Sequence, residues 1–526
     1  MFERGNPGFD AVVGNPPFLG GTQISERFGM PYFQWLTMSF AGCRHHCDLV
    51  AYFFRRAFAV LREHGCLGLI ATNTISQGDT REGGLSMLVE EGGRIYNVLR
   101  RVKWPGQAAV VVSVVHVAKR LKVKDVQLDE LPVPLISAYL VSGSVSASPS
   151  RLTLNPYFSM GSKIYGQGFL FADDDPDCTP TIERERILDD HPDWRDRVPP
   201  YIGGEEVNTD PLHRARRFVI ALSDVPDEAG LYSWPELRGI VEDKVRPGRL
   251  LLGDNPNNLP LKRRWWAFQA HRPELYAAIA ELQRVLVISS VGQHAAFAFV
   301  PSRQVFSHSL IVFPLPTHAA FCALQSRPHE IWARFFGSSM KDDLRYTPSD
   351  CFETFPFPEN WETHPALEAA GHAYYDFRAA LMVRNDEGLT RTYNRFHDPE
   401  ERDPDILELR RLHVAMDRAV LDAYRWTDIS TDCEFLLDYE IDEDEWSPRK
   451  KKPWRYRWPD EVRDDVLARL LELNATRARE EQRSGAAAEG RAGGKKARGR
   501  GTRGRAASAA SESLFDTHET SSGGKE

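Results

Sequence analysis

The sequence predicts an α/β protein: a partial sheet whose last two strands form an antiparallel hairpin, then a mixed α/β region, then a helical C-terminal region. Three observations carry that expectation. Short buried-type strands alternate with helical segments as far as Ala118. From about 125 to 360 short hydrophobic runs are broken by frequent Pro and Gly, and from Leu367 helical periodicity takes over.

The first strand is the apolar run Phe9 to Val13, which Gly14, Asn15, Pro16 and Pro17 stop abruptly before Phe18. Gly20-Gly21 reads as a mobile loop. Asp48 to Leu61 has the pattern of an amphipathic helix ended by His64-Gly65, and Cys66 to Thr72 is a second buried strand emerging at Asn73-Thr74-Ile75-Ser76-Gln77-Gly78. A helix around Leu85 to Glu91 leads to strands at Ile95 to Val102 and Ala108 to Ala118, expected to pair as an antiparallel hairpin. Further on, Leu367 to Val383, Ile406 to Tyr424 and Glu461 to Glu472 carry helical patterns. Beyond Arg479 the chain turns to Gly, Ala, Ser and Arg and is expected to be disordered, with a positive charge that could attract DNA weakly. The expected domains are 1–124, 125–360, 361–478 and a basic tail 479–526.

Composition narrows the function classes. A chain of 526 residues with 42% hydrophobic content can bury several cores, and no apolar run is long enough to span a membrane. No charged-then-apolar leader opens it, so a cytoplasmic protein is expected. Seven cysteines, odd in number and mostly scattered, argue against a disulfide framework. Cys43-Arg44-His45-His46-Cys47 gathers ligand types, but no second Cys/His pair lies at a matching distance, and no metal is expected. The formal net charge of −8 excludes a wholesale polyanion binder, leaving local basic patches to carry any nucleic-acid contact.

The chemistry concentrates at Asn15-Pro16-Pro17-Phe18. In open α/β sheets ligands sit at the carboxyl ends of strands. There Asn15 offers an amide acceptor, the prolines remove backbone donors, and Phe18 offers an aromatic face. That set suits a flat heterocycle with an exocyclic amino group, and it would equally serve as a rigid turn with a packed Phe. The four residues resemble the catalytic motif of S-adenosylmethionine-dependent amino-methyltransferases, especially the N6-adenine DNA enzymes. The resemblance implies a class I, Rossmann-like methyltransferase sheet. It also implies that Asn15 and the Pro16 carbonyl polarise the target amino group while Phe18 stacks on a flipped base, with Pro17 completing the catalytic motif. Trp104, in the turn before the last strand, would be a second aromatic of the base pocket or a Trp packed under the turn. Asn73 and Gln77 would line the same pocket or cap their loop.

A second stretch extends the resemblance. Arg345-Tyr346-Thr347-Pro348-Ser349-Asp350-Cys351-Phe352-Glu353-Thr354-Phe355-Pro356-Phe357-Pro358 resembles the segment closing the target-recognition domain of MmeI-like and related single-chain type II restriction-modification enzymes. Lys262, Arg263 and Arg264 beside Trp265-Trp266, with Arg303 and Arg345, would then contact double-stranded DNA, or else form a solvated basic face. The basic-aromatic run Arg449 to Trp458 poses the same choice.

The implied activity is site-specific adenine N6 methylation in a restriction-modification or phage-defence system, with S-adenosylmethionine as cofactor. The expected departure is the cofactor-binding half. Met1 to Gly8 leads straight into the strand of the motif, and the glycine-rich stretch Met160 to Phe169 follows no clear strand and opens no obvious helix. A separate upstream polypeptide carrying the cofactor half is therefore expected. The alternatives are a non-enzymatic DNA-recognition subunit or an inactive truncated remnant. No Pro-Asp…Glu-x-Lys nuclease pattern is found. A glutamine-modifying protein methyltransferase, which uses a similar motif, is disfavoured by the long region after residue 125.

Overall fold

The computed structural model describes residues 5–44, 46–103, 111–340, 343–437 and 454–485. Met1–Ala478 form one compact unit. Of Arg479–Glu526, only 479–485 are described, and they are helical to Ser484. The helix expected over 461–472 thus runs from Asp460 to Ser484, and the expected disordered tail falls, past Gly485, outside the described residues.

The N-terminal part is a six-stranded sheet. Its strands are β1 (Phe9–Gly14), β2 (Leu61–Thr72), β3 (Gly93–Lys103), β4 (Val111–Lys119), β5 (Gln127–Leu128) and β6 (Leu131–Pro132), in the order β1-β2-β4-β3-β5-β6. β1 runs parallel to β2, and β4 is antiparallel to both β2 and β3. The hairpin expected at the end of the sheet is present, with its second strand inserted next to β2. Helices α1 (Gly21–Phe28), α2 (Met30–Ser39) and α3 (Leu49–Val60) connect β1 to β2. One apolar core joins Val50, Phe54 and Phe58 of α3 to Leu67 and Leu69 of β2, Val98 of β3 and Val115 of β4.

Three local expectations are corrected. Gly21 opens α1 rather than a mobile loop. His64-Gly65 does not end α3, because β2 already begins at Leu61 and these residues form an irregularity in the β1–β2 register. The reason is steric: a Cβ at Gly65 would lie 2.9 Å from the Phe9 carbonyl oxygen, so only glycine lets β1 approach there. The helix expected around Leu85 to Glu91 is the end of a longer helical stretch from Gly78 to Glu90, with a π-turn at Glu82–Ser86.

Beyond β6 two further cores form. One gathers around the strands Leu170–Phe171, Pro200–Ile202 and Arg217–Val219 and takes in Trp265, Trp266 and Phe268. The other joins the antiparallel strands Arg284–Ser289, Phe297–Pro301 and Leu310–Phe313 to the helices Pro365–Asn385, Pro404–Ala423 and Asp460–Ser484. These strands and the C-terminal helices therefore share one hydrophobic interior. No described helix is long and apolar enough to cross a membrane.

Candidate active site

Strand directions decide where the motif sits. Because β1 is parallel to β2, and β2 and β3 both run antiparallel to β4, the carboxyl ends of β1, β2 and β3 lie at one rim of the sheet. That rim carries Asn15 to Phe18 after β1, Asn73 to Gln77 after β2, and the connection from β3 to β4. Trp104 lies in that connection, outside the described residues. Asn15 and Pro17 are exposed, Pro16 is buried, and Phe18 is half-buried with its ring packed on the sheet's core. An exposed amide next to an anchored aromatic is the arrangement a planar ligand needs.

A residue that sequence reasoning passed over holds this loop. Asp48 is buried, and its Oδ1 accepts both the Leu19 N–H (3.2 Å) and the Val50 N–H (3.0 Å) that opens α3. The Asp48 N–H in turn donates to Thr80 Oγ1 at 3.0 Å, and Leu49 N–H donates to the Leu19 carbonyl at 2.9 Å. The Asp48 carboxylate thus caps a helix and ends the motif loop, and its backbone N–H ties both to the segment after β2. An Asp directly before an apolar helical run was the available signal. Asp48→Ala is expected to cost about 2 to 4 kcal/mol, combining a lost cap with an orphaned buried donor. It should also expose the Phe18–Leu19 bond to limited proteolysis, while the denaturation midpoint gives the stability change.

Arg81 plays a comparable part. It is 3% exposed, lies 4.1 Å above the Tyr139 ring, and donates to Ser86 Oγ (2.7 Å), the Ser146 carbonyl (2.5 Å) and Ser148 Oγ (2.7 Å). Burial lowers its pKa, partly countered by Tyr139 and Glu82.

Asn73 and Gln77 are exposed and line a cleft of about 1130 Å³. Its far wall comes from the C-terminal part and includes Arg334, Asp350, Arg455 and Arg457. Asn73 Oδ1 accepts from Ser113 Oγ at 3.2 Å, so this amide also bridges β2 to β4. Asn15 and Phe18 are not among the residues lining this cleft. The structure brings the β1 and β2 ends to one rim but not into one enclosed pocket.

The basic residues singled out for DNA contact divide. Arg263, Arg303 and Arg345 are exposed, on the helix Leu259–Arg263, the turn after Phe297–Pro301 and the strand Asp343–Arg345. Arg303 also lines a separate hollow of about 300 Å³ with Asp224 and His271. Lys262 pairs with Asp254 at 2.5 Å. Arg264 donates to the Ser223 (2.7 Å) and Val225 (3.0 Å) carbonyls. Trp265 and Trp266 are core residues, 2% and 3% exposed. The same inversion holds in two other places. Tyr346, Phe352, Phe355 and Phe357 of the second resembling stretch are buried, and Arg455 is turned inward onto His294 Nδ1 at 2.7 Å. Residues 449–453 and the acidic run from Asp438 lie outside the described residues. Among the described residues no cluster of three or more His, Cys, Asp and Glu side chains could hold a metal, and Cys43 and Cys47 are both buried.

Residues 1–90 match the Eco57I restriction-modification methylase family, and residues 143–359 match the MmeI target recognition domain. This chain resembles the MmeI-like restriction-modification methylases. It is 23% identical over 449 residues to DNA methyltransferase A of Bacillus subtilis (strain 168), covering 81% of this chain and 46% of that protein. The type IIL restriction-modification enzyme MmeI, solved in complex with DNA, shares its fold at 19% identity with a TM-score of 0.52. That match covers 89% of this chain and 57% of the MmeI chain. The chain therefore spans about half the length of these relatives. The methylase match takes in β1, the motif and β2, and the recognition-domain match takes in the two later cores as far as Glu359.

Proposed function

We propose that this chain supplies the target-base side of an S-adenosylmethionine-dependent DNA adenine N6-methyltransferase together with its target-recognition region. The observation that carries the reading is the convergence of Asn15 to Phe18 with Asn73 at one sheet rim, beside a connection that holds Trp104. An adenine swung out of the duplex would stack on Phe18. Its amino hydrogens would be accepted by Asn15 Oδ1 and the Pro16 carbonyl oxygen, which draws the nitrogen lone pair out of conjugation and towards the methyl donor. Arg263, Arg303 and Arg345, which are exposed, would neutralise phosphates or read base edges, while Lys262 and Arg264 have carboxylate and carbonyl partners within the chain.

Among the described residues no donor-binding motif is found. S-adenosylmethionine would need a glycine turn at this rim, yet the stretch around Gly161 to Gly168 belongs to the later cores, where a Cβ at Gly161 would lie 2.1 Å from the Ser307 carbonyl oxygen. No step is therefore assigned to the donor within this chain. Val13 of β1 stands 85% exposed. A parallel strand is ordinarily covered on both faces, which supports a partner polypeptide carrying the donor side along β1. The same observation favours a second reading, a DNA-recognition subunit without transfer activity.

Deleting the gene from its natural genomic context and sequencing the DNA for N6-methyladenine separates the two. Loss of methylation at one sequence motif, restored by the intact gene, supports the transferase. Unchanged methylation alongside sequence-specific DNA binding by the purified chain supports the subunit.

A further inference from the structure

The strand that leads into the β3–β4 connection has an unusual end. β3 pairs Leu99 with Val114 and then Val102 with Val112, so Arg100 and Arg101 together oppose a single residue of β4. That is a β-bulge, and within it Arg101 takes a left-handed φ of +56°. Successive side chains of a regular strand point to opposite faces. The bulge cancels that alternation, and both arginines reach the same helix.

Their common target is the first turns of the helix Asp460–Ser484. Arg100 Nη1 lies 2.5 Å from Asp464 Oδ2, Arg101 Nη2 lies 3.2 Å from the same oxygen, and Arg101 Nη1 lies 3.1 Å from Asp460 Oδ2. Asp460 and Asp464, one helical turn apart, are also faced by Arg463, and Asp460 by Arg457. The backbone N–H that the bulge frees at Arg100 donates to Asp129 Oδ1 at 2.7 Å. Asp129 sits with Glu130 in a tight turn between β5 and β6, where both have positive φ, and its Oδ2 takes the Arg100 guanidinium at 2.7 Å. The bulge is thus satisfied from two sides, and the Asp464 side chain is only 9% exposed.

The helix that bears the acidic pair buries Val466, Leu467, Leu470 and Leu471 in the core shared with the recognition-type strands. The residue of β4 opposite the bulge it grips, Ser113, donates to Asn73 Oδ1 at 3.2 Å, at the rim that carries the motif. We infer that Asp460 and Asp464 are positioning residues: through Arg100 and Arg101 they fix the end of β3 and the facing Ser113 of β4, and with them Asn73 at the rim, relative to the recognition core. This rests on the proposed methyl-transfer reading for its consequence in catalysis, but not for the contact itself.

The test compares the wild-type full chain with Asp464→Asn, Asp464→Glu and Arg101→Gln by hydrogen–deuterium exchange. Arg101→Gln covers the case in which replacing the buried Asp464 prevents folding. Exchange over 98–103 and 111–115 is expected to accelerate at least tenfold in Asp464→Asn and Arg101→Gln, with 66–72 unchanged. Asp464→Glu, which keeps the charge on a longer arm, is expected to restore most of the protection. In the natural genomic context, methylation at the target motif is expected to fall at least tenfold in the first two variants, while DNA affinity stays within about twofold. Unchanged exchange over 98–103 overturns the inference whether or not the chain methylates. Accelerated exchange with undiminished methylation, in a strain where gene deletion removes it, overturns the positioning role. Absence of methylation in the wild type refutes the functional reading instead and leaves the exchange result to decide the contact.

Discussion

Replacing Asn15 with alanine is expected to abolish methylation at the target motif without weakening DNA binding. The Asn15 side chain is exposed at the end of β1 and supports no part of the core, so its loss should leave the fold and the recognition region intact. Removing one acceptor aimed at the reacting amino group should cost about 10²- to 10³-fold in rate, the scale seen when a single preorganised transition-state hydrogen bond is deleted. Sequencing of genomic DNA for N6-methyladenine, with fluorescence anisotropy on the purified chain, separates the two effects. Phe18→Ala should, unlike Asn15→Ala, also weaken the hold on the flipped base, losing about 1 to 3 kcal/mol of stacking. Full methylation by Asn15→Ala would remove the motif from the chemistry and leave only the recognition reading.

Asp417→Ala is expected to produce the largest loss of stability. Asp417 is fully buried on the helix Pro404–Ala423, where Oδ2 lies 2.5 Å from Arg327 Nη1 and 3.2 Å from His413 Nδ1, and Oδ1 accepts the Arg327 backbone N–H at 2.9 Å. Arg327 also donates to the Tyr456 carbonyl at 3.0 Å. Truncating Asp417 strands a guanidinium that is 3% exposed, a defect that costs about 3 to 5 kcal/mol. The urea midpoint should fall accordingly, and the double substitution Arg327→Met with Asp417→Leu should be less damaging than Asp417→Ala alone. Burial pushes the Asp417 carboxyl up, but His413 and Arg327 outweigh it and hold its pKa below the ordinary value. A lowered folded pKa means the contribution is complete above the unfolded value of about 3.9 and disappears as pH falls through the folded one. Stability of wild type should therefore drop on acidification below about pH 4 more steeply than that of the double variant.

The contrast between the motif and the basic patches explains what could be read in advance. Phe9 to Phe18 is a local pattern: an apolar run, a glycine and two prolines dictate a strand and its end by their own backbone limits. The helix from Asp48, the strand to Thr72 and the closing hairpin follow from equally local periodicity. Lys262 to Trp266 and Arg449 to Trp458 are different. Whether an Arg or Trp faces water or the interior depends on what packs over it, and here Val225 and His294, distant in sequence, claim Trp266 and Arg455.

The sequence by itself determined the α/β class, the strand-ending Asn-Pro-Pro-Phe motif, and the resemblance of the later region to a recognition domain, because each is written in short-range residue order. Only the tertiary structure decided that the ends of β1, β2 and β3 share a rim, that Asp48 holds the motif loop, and that a bulge turns Arg100 and Arg101 onto one helix. These depend on strand direction, register and contacts between residues up to about 360 positions apart, as between Arg101 and Asp464. The physical reason is that local sterics set an element's type, whereas burial and ion pairing set which elements meet.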